Sequence, residues 1–289
     1  MAFSVNTNAG AMAALQSLNA TNRSMETTQS RITTGLNVAS TKDDSAKYTS
    51  AQTLRGDLGK LNAVTSSLNN AKSVTDVAVA GAEQISDLVN QMKSKTLEAS
   101  DAGLDVESRT AISKDLVSLK KQINTIIDGS DFNGTNLLKD GGTTDGEVSA
   151  LQSISGDDTL TIANQGFTSL ATTAFGASGT DTAIEALAGT DSATAATAAS
   201  DLSDDLDTFF DAVKTSLSDL GAGSRQIEGQ LTFNSNLTDV VTSGIGNLVD
   251  ADLAKESANL QALQVQQQLG VQALSIANQA PQTLLSLFQ

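Results

Sequence analysis

Between residues 213 and 248 apolar side chains recur in alternating steps of four and three. Val213, Leu217, Leu220, Ser224, Ile227, Leu231, Asn234, Thr238, Val241, Ile245 and Leu248 keep that alternation without a slip, and eight of the eleven are apolar. The pattern is a heptad seam, and over five heptads it predicts a helix about 50 Å long at about 1.5 Å per residue. Asn234 is the kind of polar seam residue that fixes register at some cost in stability.

Two further stripes lie upstream. Leu61, Leu68, Thr75, Ala82 and Val89 interleave with Val64, Ala71, Ala78, Ile85 and Met92, while Ile112, Leu116, Leu119, Ile123 and Ile126 mark a shorter third helix. A helix with one apolar stripe must bury it against a partner. Stripes from both halves of the chain therefore predict a mainly α fold, with long coiled-coil helices gathered into an elongated bundle.

The two ends repeat the step with thinner content. Leu15, Leu18, Asn22, Met25, Gln29, Ile32 and Leu36 follow it at the front; at the back Leu253, Leu260 and Leu274 recur by seven, with Gln267 between them and Leu263 beside them. Leu284, Leu285 and Phe288 come after. Helices this thinly striped are marginal alone in water, so both ends are expected to be disordered in a free monomer and to order on meeting partners. Pro281, the single proline, is expected to end the last helix at about Ala280.

The middle changes character. "DGSDFNGTNLLKDGG" (128–142) is turn chemistry, because Asn-Gly and Asp-Gly supply positive φ. "DTLTIA" (158–163) alternates as a short strand does. From Phe175 to Asp201 the chain is Ala, Thr, Ser, Gly and Asp of low complexity, which predicts a small β-containing outer segment of little core value.

Composition sharpens the helical reading. Aromatics are 3% and Trp is absent, so burial must come from Leu, Val, Ile and Ala. The formal charge of −16 is unevenly spread, with 14 basic and 15 acidic side chains in residues 1–140 against 3 and 18 in residues 141–289. Neither Met1 to Asn22 nor the final 33 residues carries an ionisable side chain. An acidic surface disfavours nucleic acid and anionic membranes as partners. No stretch approaches the roughly 20 apolar residues of a membrane span, and no conventional secretory signal is visible.

The candidate chemistry is weak. With no Cys and no His, disulfides, thiol catalysis and the commonest general base and metal ligand are all excluded, and no cofactor is implied. "GSDFNGTNLLKD" (129–140) aligns with a calcium loop at Asp131, Asn133 and Gly134, but the first ligand position is Gly129 and the last is Asp140. Asp204, Asp205, Asp207 and Asp211 read as first-turn acids of a helix rather than as a metal or hydrolase site. Asp43 or Asp44 in "TKDDSAK" is suited to capping a helix, which marks a break after the front segment. A secreted hydrolase or metal-binding adhesin using the acidic centre therefore has little to work with.

Three collinear motifs carry a specific resemblance. "RITTGLNVASTKDDSAKYTSAQTLR" (31–55) resembles the N-terminal signature of bacterial flagellins, "FNGTNLL" (132–138) their Phe-Asn-Gly turn, and "VDADLAKESANLQALQVQQQLGVQALSIANQAPQTLLSLF" (249–288) their C-terminal signature. The short centre is similar to that of alphaproteobacterial members. The resemblance implies a non-enzymatic subunit, exported unfolded through the flagellar type III apparatus, that polymerises into an extracellular filament for swimming. Its implied partners are other copies of itself and other flagellins, the filament cap, hook-junction proteins and an export chaperone. A hook–filament junction protein shares the terminal helices and is the nearest alternative.

On this reading residues 1–42 and 252–289 form an inner coiled-coil domain, 43–140 and 200–251 a helical bundle domain, and 141–199 a short variable outer surface. The inner assembly seam is then Leu15, Leu18, Met25, Ile32, Leu36, Leu253, Leu260, Leu263, Leu274, Leu284, Leu285 and Phe288. The bundle seam is Leu61, Leu68, Ile85, Met92, Leu217, Leu220, Ile227, Leu231, Asn234, Val241 and Ile245. One departure bears on the Toll-like innate receptor that recognises the family. Where its motif typically reads Leu-Gln-Arg-Val-Arg-Glu-Leu this chain has "VNQMKSK" (89–95), so Gln91, Lys93 and Ser94 alter the motif while Asp115 keeps an acid farther on.

Overall fold

The computed structural model describes residues 8–140 and 146–285, with side chains described to residue 279. Seven α-helices and four short strands follow one another among these residues. Packing divides the chain into two units. One holds the chain up to Leu58 together with the chain from Asp239, and the other runs from Gly59 to Thr238.

The first unit contains α1 (Ala9–Thr34) and α7 (Leu253–Leu285), with the first turns of α2 (Ser45–Ala99) and the last turns of α6 (Ser192–Val249). Asn8 caps α1 by accepting the Ala11 N–H, and Gly35, at φ 71, ends it by donating to the Arg31 carbonyl. Asp44 accepts the Lys47 N–H at the start of α2, and Asp43 accepts from Ala39 and Ser40, so the break expected at "TKDDSAK" is present. Segment 35–38 lies along residues 249–251 through Asn37 N–H to Val249 O (2.7 Å) and Ala251 N–H to Gly35 O (2.9 Å). A small core of Val38, Ala51 and Val249 closes beneath it.

The expected stop at Ala280 does not occur, because α7 continues to Leu285. A proline inside a helix leaves the carbonyl four residues earlier without its N–H. That carbonyl belongs to Ala277, and it accepts the Asn8 side-chain amide at 2.7 Å.

The second unit is built on α2, α3 (Val106–Gly129) and α6. Leu61, Leu68, Ile85, Met92, Leu220, Ile227 and Asn234 are buried, and Leu217 and Leu231 are half-buried. Asn234 donates to the Leu61 carbonyl (2.9 Å) and to the Thr65 hydroxyl, which ties α6 to α2 at one register. Strands β1 (Asp131–Phe132) and β2 (Thr135–Asn136) flank a turn at Asn133 (φ 54) and Gly134 (φ 80), as the Asn-Gly pair predicts. Strands β3 (Glu147–Leu151) and β4 (Thr159–Ala163) pair antiparallel and turn Val148, Ala150, Leu160 and Ile162 inward.

Two expectations for the middle fail. Helix α6 begins at Ser192, so Asp204, Asp205, Asp207 and Asp211 lie well inside it and are not first-turn acids. Asp207 instead pairs with Lys93, and Asp211 with Lys214 at 2.7 Å. The low-complexity stretch also contributes to the core. Ile184 and Leu187, from α5 (Thr182–Glu185) and the 3-10 turn after it, are fully buried, as is Ala199. Phe167 and Phe175 of α4 (Phe167–Phe175) meet Phe209 edge to face, with ring centroids 6.1 and 5.5 Å away.

A buried cation holds this segment in place. Lys120 of α3 is 1% exposed, and its ammonium donates to the carbonyls of Phe175 (2.9 Å) and Thr180 (2.6 Å) while pairing with Asp181 (3.0 Å). The loop it grips needs glycine at Gly176, where φ is 83 and a Cβ would stand 2.9 Å from the Thr180 carbonyl oxygen. Lys120→Met keeps the apolar stem but strands two carbonyls and a carboxylate. It is expected to cost about 2–4 kcal/mol, read as a lower denaturation midpoint with faster amide exchange confined largely to residues 175–191.

Candidate assembly interface

Helices α1 and α7 run antiparallel as a pair. As the α1 partner moves from Asn8 to Asn22 to Arg31, the α7 partner falls from Ala277 to Gln267 to Glu256. Gln267 Nε2 donates to Asn22 Oδ1 at 2.8 Å, and Arg31 Nη1 reaches Glu256 Oε1 at 3.3 Å. At Gly270 a Cβ would lie 3.3 Å from Leu18 Cδ1, so the helices approach closely there. The sheltered face of α7 is a heptad line through Glu256, Leu260, Leu263, Gln267, Gly270, Leu274 and Ala277.

The expected seam residues divide between the two faces. Leu18, Met25, Ile32, Leu36, Leu260, Leu263 and Leu274 are half-buried, whereas Leu15 and Leu253 face solvent. The side chains of Leu284 and Leu285, and Phe288 altogether, lie outside the described residues. Two of the expected bundle positions, Val241 and Ile245, belong to the first unit and are half-buried.

The outward face carries Leu15 and Leu253 from the expected seam, together with Met12, Val265, Leu269, Val271 and Ile276, which lie off it. All seven are between 49% and 69% exposed. The five outside the expected seam escape a pattern of one stripe per helix, which passes over apolar residues off that stripe. Their pattern is that of a helix pair with a second apolar surface and no charge beside it on α7 beyond Glu256. Val265, Leu269 and Ile276 fall on one line of α7 opposite the sheltered one, and exposed apolar side chains so grouped mark an interaction site.

The comparisons with known proteins decide the identity. The family model for the bacterial flagellin N-terminal helical region matches residues 5–143, and the model for the bacterial flagellin C-terminal helical region matches residues 204–288. This chain belongs to the bacterial flagellin family. It is 42% identical over 290 residues to flagellin FljK of Caulobacter vibrioides, covering 99% of this chain and 98% of that one. It is also 37% identical to a flagellin of Brucella melitensis, with 99% of each covered, and 34% identical to flagellin C of Rhizobium meliloti, again with 99% of each covered. A crystal structure of Bacillus cereus flagellin covers 66% of the chain and 93% of its own at 19% identity and a TM-score of 0.36, too distant to carry an argument. As a flagellin, the protein is a structural subunit of the flagellar filament, and nothing favours the junction protein.

The residues of the altered receptor motif separate in this flagellin. Gln91, Ser94 and Lys95 of α2 line a shallow cleft with Asp115, Ser118 and Gln122 of α3, and Lys95 reaches Asp115 at 3.5 Å. Lys93 points elsewhere, to Asp207 and over the Phe210 ring at 4.8 Å. A second cleft, in the first unit, is lined by Glu26, Arg31, Asn37 and Asp43. The Asp43 carboxyl is held below the usual carboxylate range, first by the backbone N–H of Ser40 and then by its hydroxyl.

The Arg31–Glu256 pair is the ionic contact that sequence reasoning missed. Glu256 is 8% exposed and its Oε2 has no partner, so losing Arg31 would leave a buried carboxylate uncompensated. Because Arg31 is a third exposed, its removal by Arg31→Ala is expected to cost about 1–3 kcal/mol of the helix pair. Adding Glu256→Gln should recover most of that loss. Heat dissociation of filaments made from the two variants and wild type measures both steps, and an R31A/E256Q double variant no better than R31A contradicts the account.

Proposed function

We propose that the paired ends of this flagellin, residues 1–42 and 252–289, form the inner coiled-coil layer of the filament. Residues 43–140 with 200–251 supply the helical bundle outside it, and 141–199 the outer surface. The subunit is exported unfolded through the flagellar type III apparatus and polymerises under the cap with other flagellins, aided by an export chaperone and anchored by hook-junction proteins. Its work is structural and extracellular, with no catalytic role. No described helix is long and apolar enough to cross a membrane.

The observation that carries the reading is the uncovered apolar face of α1 and α7. Burying a Leu or Ile contributes about 1.5–3 kcal/mol, so a handful of such residues drives association once ordering entropy is subtracted. The absence of charge along this face removes a desolvation penalty of several kcal/mol per ion that many-copy burial would otherwise incur. Leu284, Leu285 and Phe288 extend the same apolar content.

Leu269→Asp tests this directly, since Leu269 is 59% exposed and the change leaves the α1–α7 contact alone. The variant is expected to keep its helicity by circular dichroism and to yield no sedimentable filaments. Normal long filaments by electron microscopy would remove the face from the assembly account.

A second reading follows from the cleft between α2 and α3. We propose that Gln91 and Ser94, which stand where the receptor motif has Arg and Glu, make this flagellin a poor activator of the Toll-like innate receptor despite Asp115. Lys93 does not restore the missing cation, because it is committed to Asp207 and Phe210. A reporter-cell dose response should be shifted to much higher concentration than that of a responsive flagellin, and a matching response would refute the reading.

A further inference from the structure

We infer that Asn8 is a register clamp: its side-chain amide replaces the hydrogen bond that Pro281 cannot make, so the first turn of α1 and the proline turn of α7 become helical together. The inference starts from a deficit in the backbone. In α7 the carbonyl of Ala277 should accept the N–H of residue 281, and proline has none. A buried or half-buried carbonyl left unpaired is destabilising, so something must serve it. Asn8 Nδ2 does so at 2.7 Å.

The same side chain has a second task at its other atom. Asn8 Oδ1 accepts the Ala11 N–H at 3.1 Å and so caps α1. Asp and Ser cap a helix as well as Asn does, but ionised Asp has no donor and Ser has one short hydroxyl; the amide sets its acceptor and its donor on two separate atoms, one for each helix. The approach is made possible by small residues. A Cβ at Gly10 would stand 4.0 Å from the Ala277 Cβ, and 3.5 Å from Asn8 Oδ1, so the clamp sits where the two backbones are close.

The geometry selects a single register. If α1 slid along α7 by one heptad toward Gly270, Asn8 would face carbonyls already engaged within the helix, and Ala277 would remain unserved. Gln267 to Asn22 and Arg31 to Glu256 fix the rest of the pair, but only the contact at Asn8 repairs a defect. Apart from α1, Pro281 ends the helix near Ala280, as the sequence alone predicts. Against α1 the helix continues to Leu285. The proline is thus a conditional stop, released by the partner helix.

The test uses full-length chain assembled into filaments, and rests on the reading that the chain polymerises. Wild-type filaments formed in parallel separate a failure of that reading from a failure of the clamp. Asn8→Ser keeps a cap acceptor but replaces the amide with a hydroxyl too short to serve Ala277 while it caps α1; Pro281→Ala gives α7 its own N–H for Ala277. Asn8→Ser is expected to lower the heat-dissociation midpoint by roughly 2–4 °C in the proline background and by much less in the alanine background. An equal drop in both backgrounds, or none in either, overturns the proposal. Should Asn8→Ser alone fail to polymerise, rescue by Pro281→Ala supports the clamp and continued failure refutes it. A carbon-13 label on the Ala277 carbonyl reads the contact without touching the proline. Its resonance moves upfield in Asn8→Ser filaments if the bond is lost, and an unmoved resonance counts against the clamp.

Discussion

Each long helix of this protein has an apolar stripe too narrow to stabilise it alone, and every other feature depends on how those stripes find cover. The chain has few aromatics and no Trp, so no bulky centre can gather the helices around it. Cover must come from long runs of small contacts along helix faces. In the second unit the stripes of α2, α3 and α6 meet one another, assisted by the β3–β4 hairpin and the three phenylalanines. In the first unit α1 and α7 cover one face and leave a second apolar face open.

Charge follows the same division. The first unit carries Arg23, Arg31, Lys42, Lys47, Arg55 and Lys255 against eight acidic residues, while the second carries 11 basic and 25 acidic residues. The excess negative charge therefore belongs to the unit that completes its own core. That separation lets one part of the chain repel its neighbours in solution while the other, near charge balance and uncharged along α7 after Glu256, has less to desolvate on burial.

Much of the fold was legible in sequence where a period persists. The seam from Val213 to Leu248 is one helix with Asn234 bonded across to α2, and the Asn-Gly turn and the strand at 159–163 stand where local chemistry puts them. Legibility failed where meaning depends on a distant partner. Lys120 and Arg109 look like surface charges in sequence, but both are buried, and Arg109 donates to the Ser192 carbonyl at 3.0 Å. Ile184 and Leu187 are inconspicuous among Ala, Thr and Gly neighbours, yet two well-placed side chains suffice when a helix is already waiting for them. The local rule for Pro281 gives way to a contact that joins residues 269 apart in sequence. At the assembly interface, the stripe finds the sheltered residues of α1 and α7 together with outward Leu15 and Leu253, and passes over Met12, Val265, Leu269, Val271 and Ile276, because a helix that serves two neighbours has two stripes.

The antiparallel pairing of α1 with α7 also sets a clock. The helix near the start of the chain has as its partner the helix near the other end, and the contacts between them close the longest loops among the described residues. Loop closure at such separation is slow, and it cannot begin until both segments are free of whatever delivers them. A chain threaded out in sequence order would have its leading helix wait, unpaired, for most of the delivery. For a chain so delivered, folding of the first unit would be postponed to the moment of arrival, with the order of residues acting as a timer that no single side chain encodes.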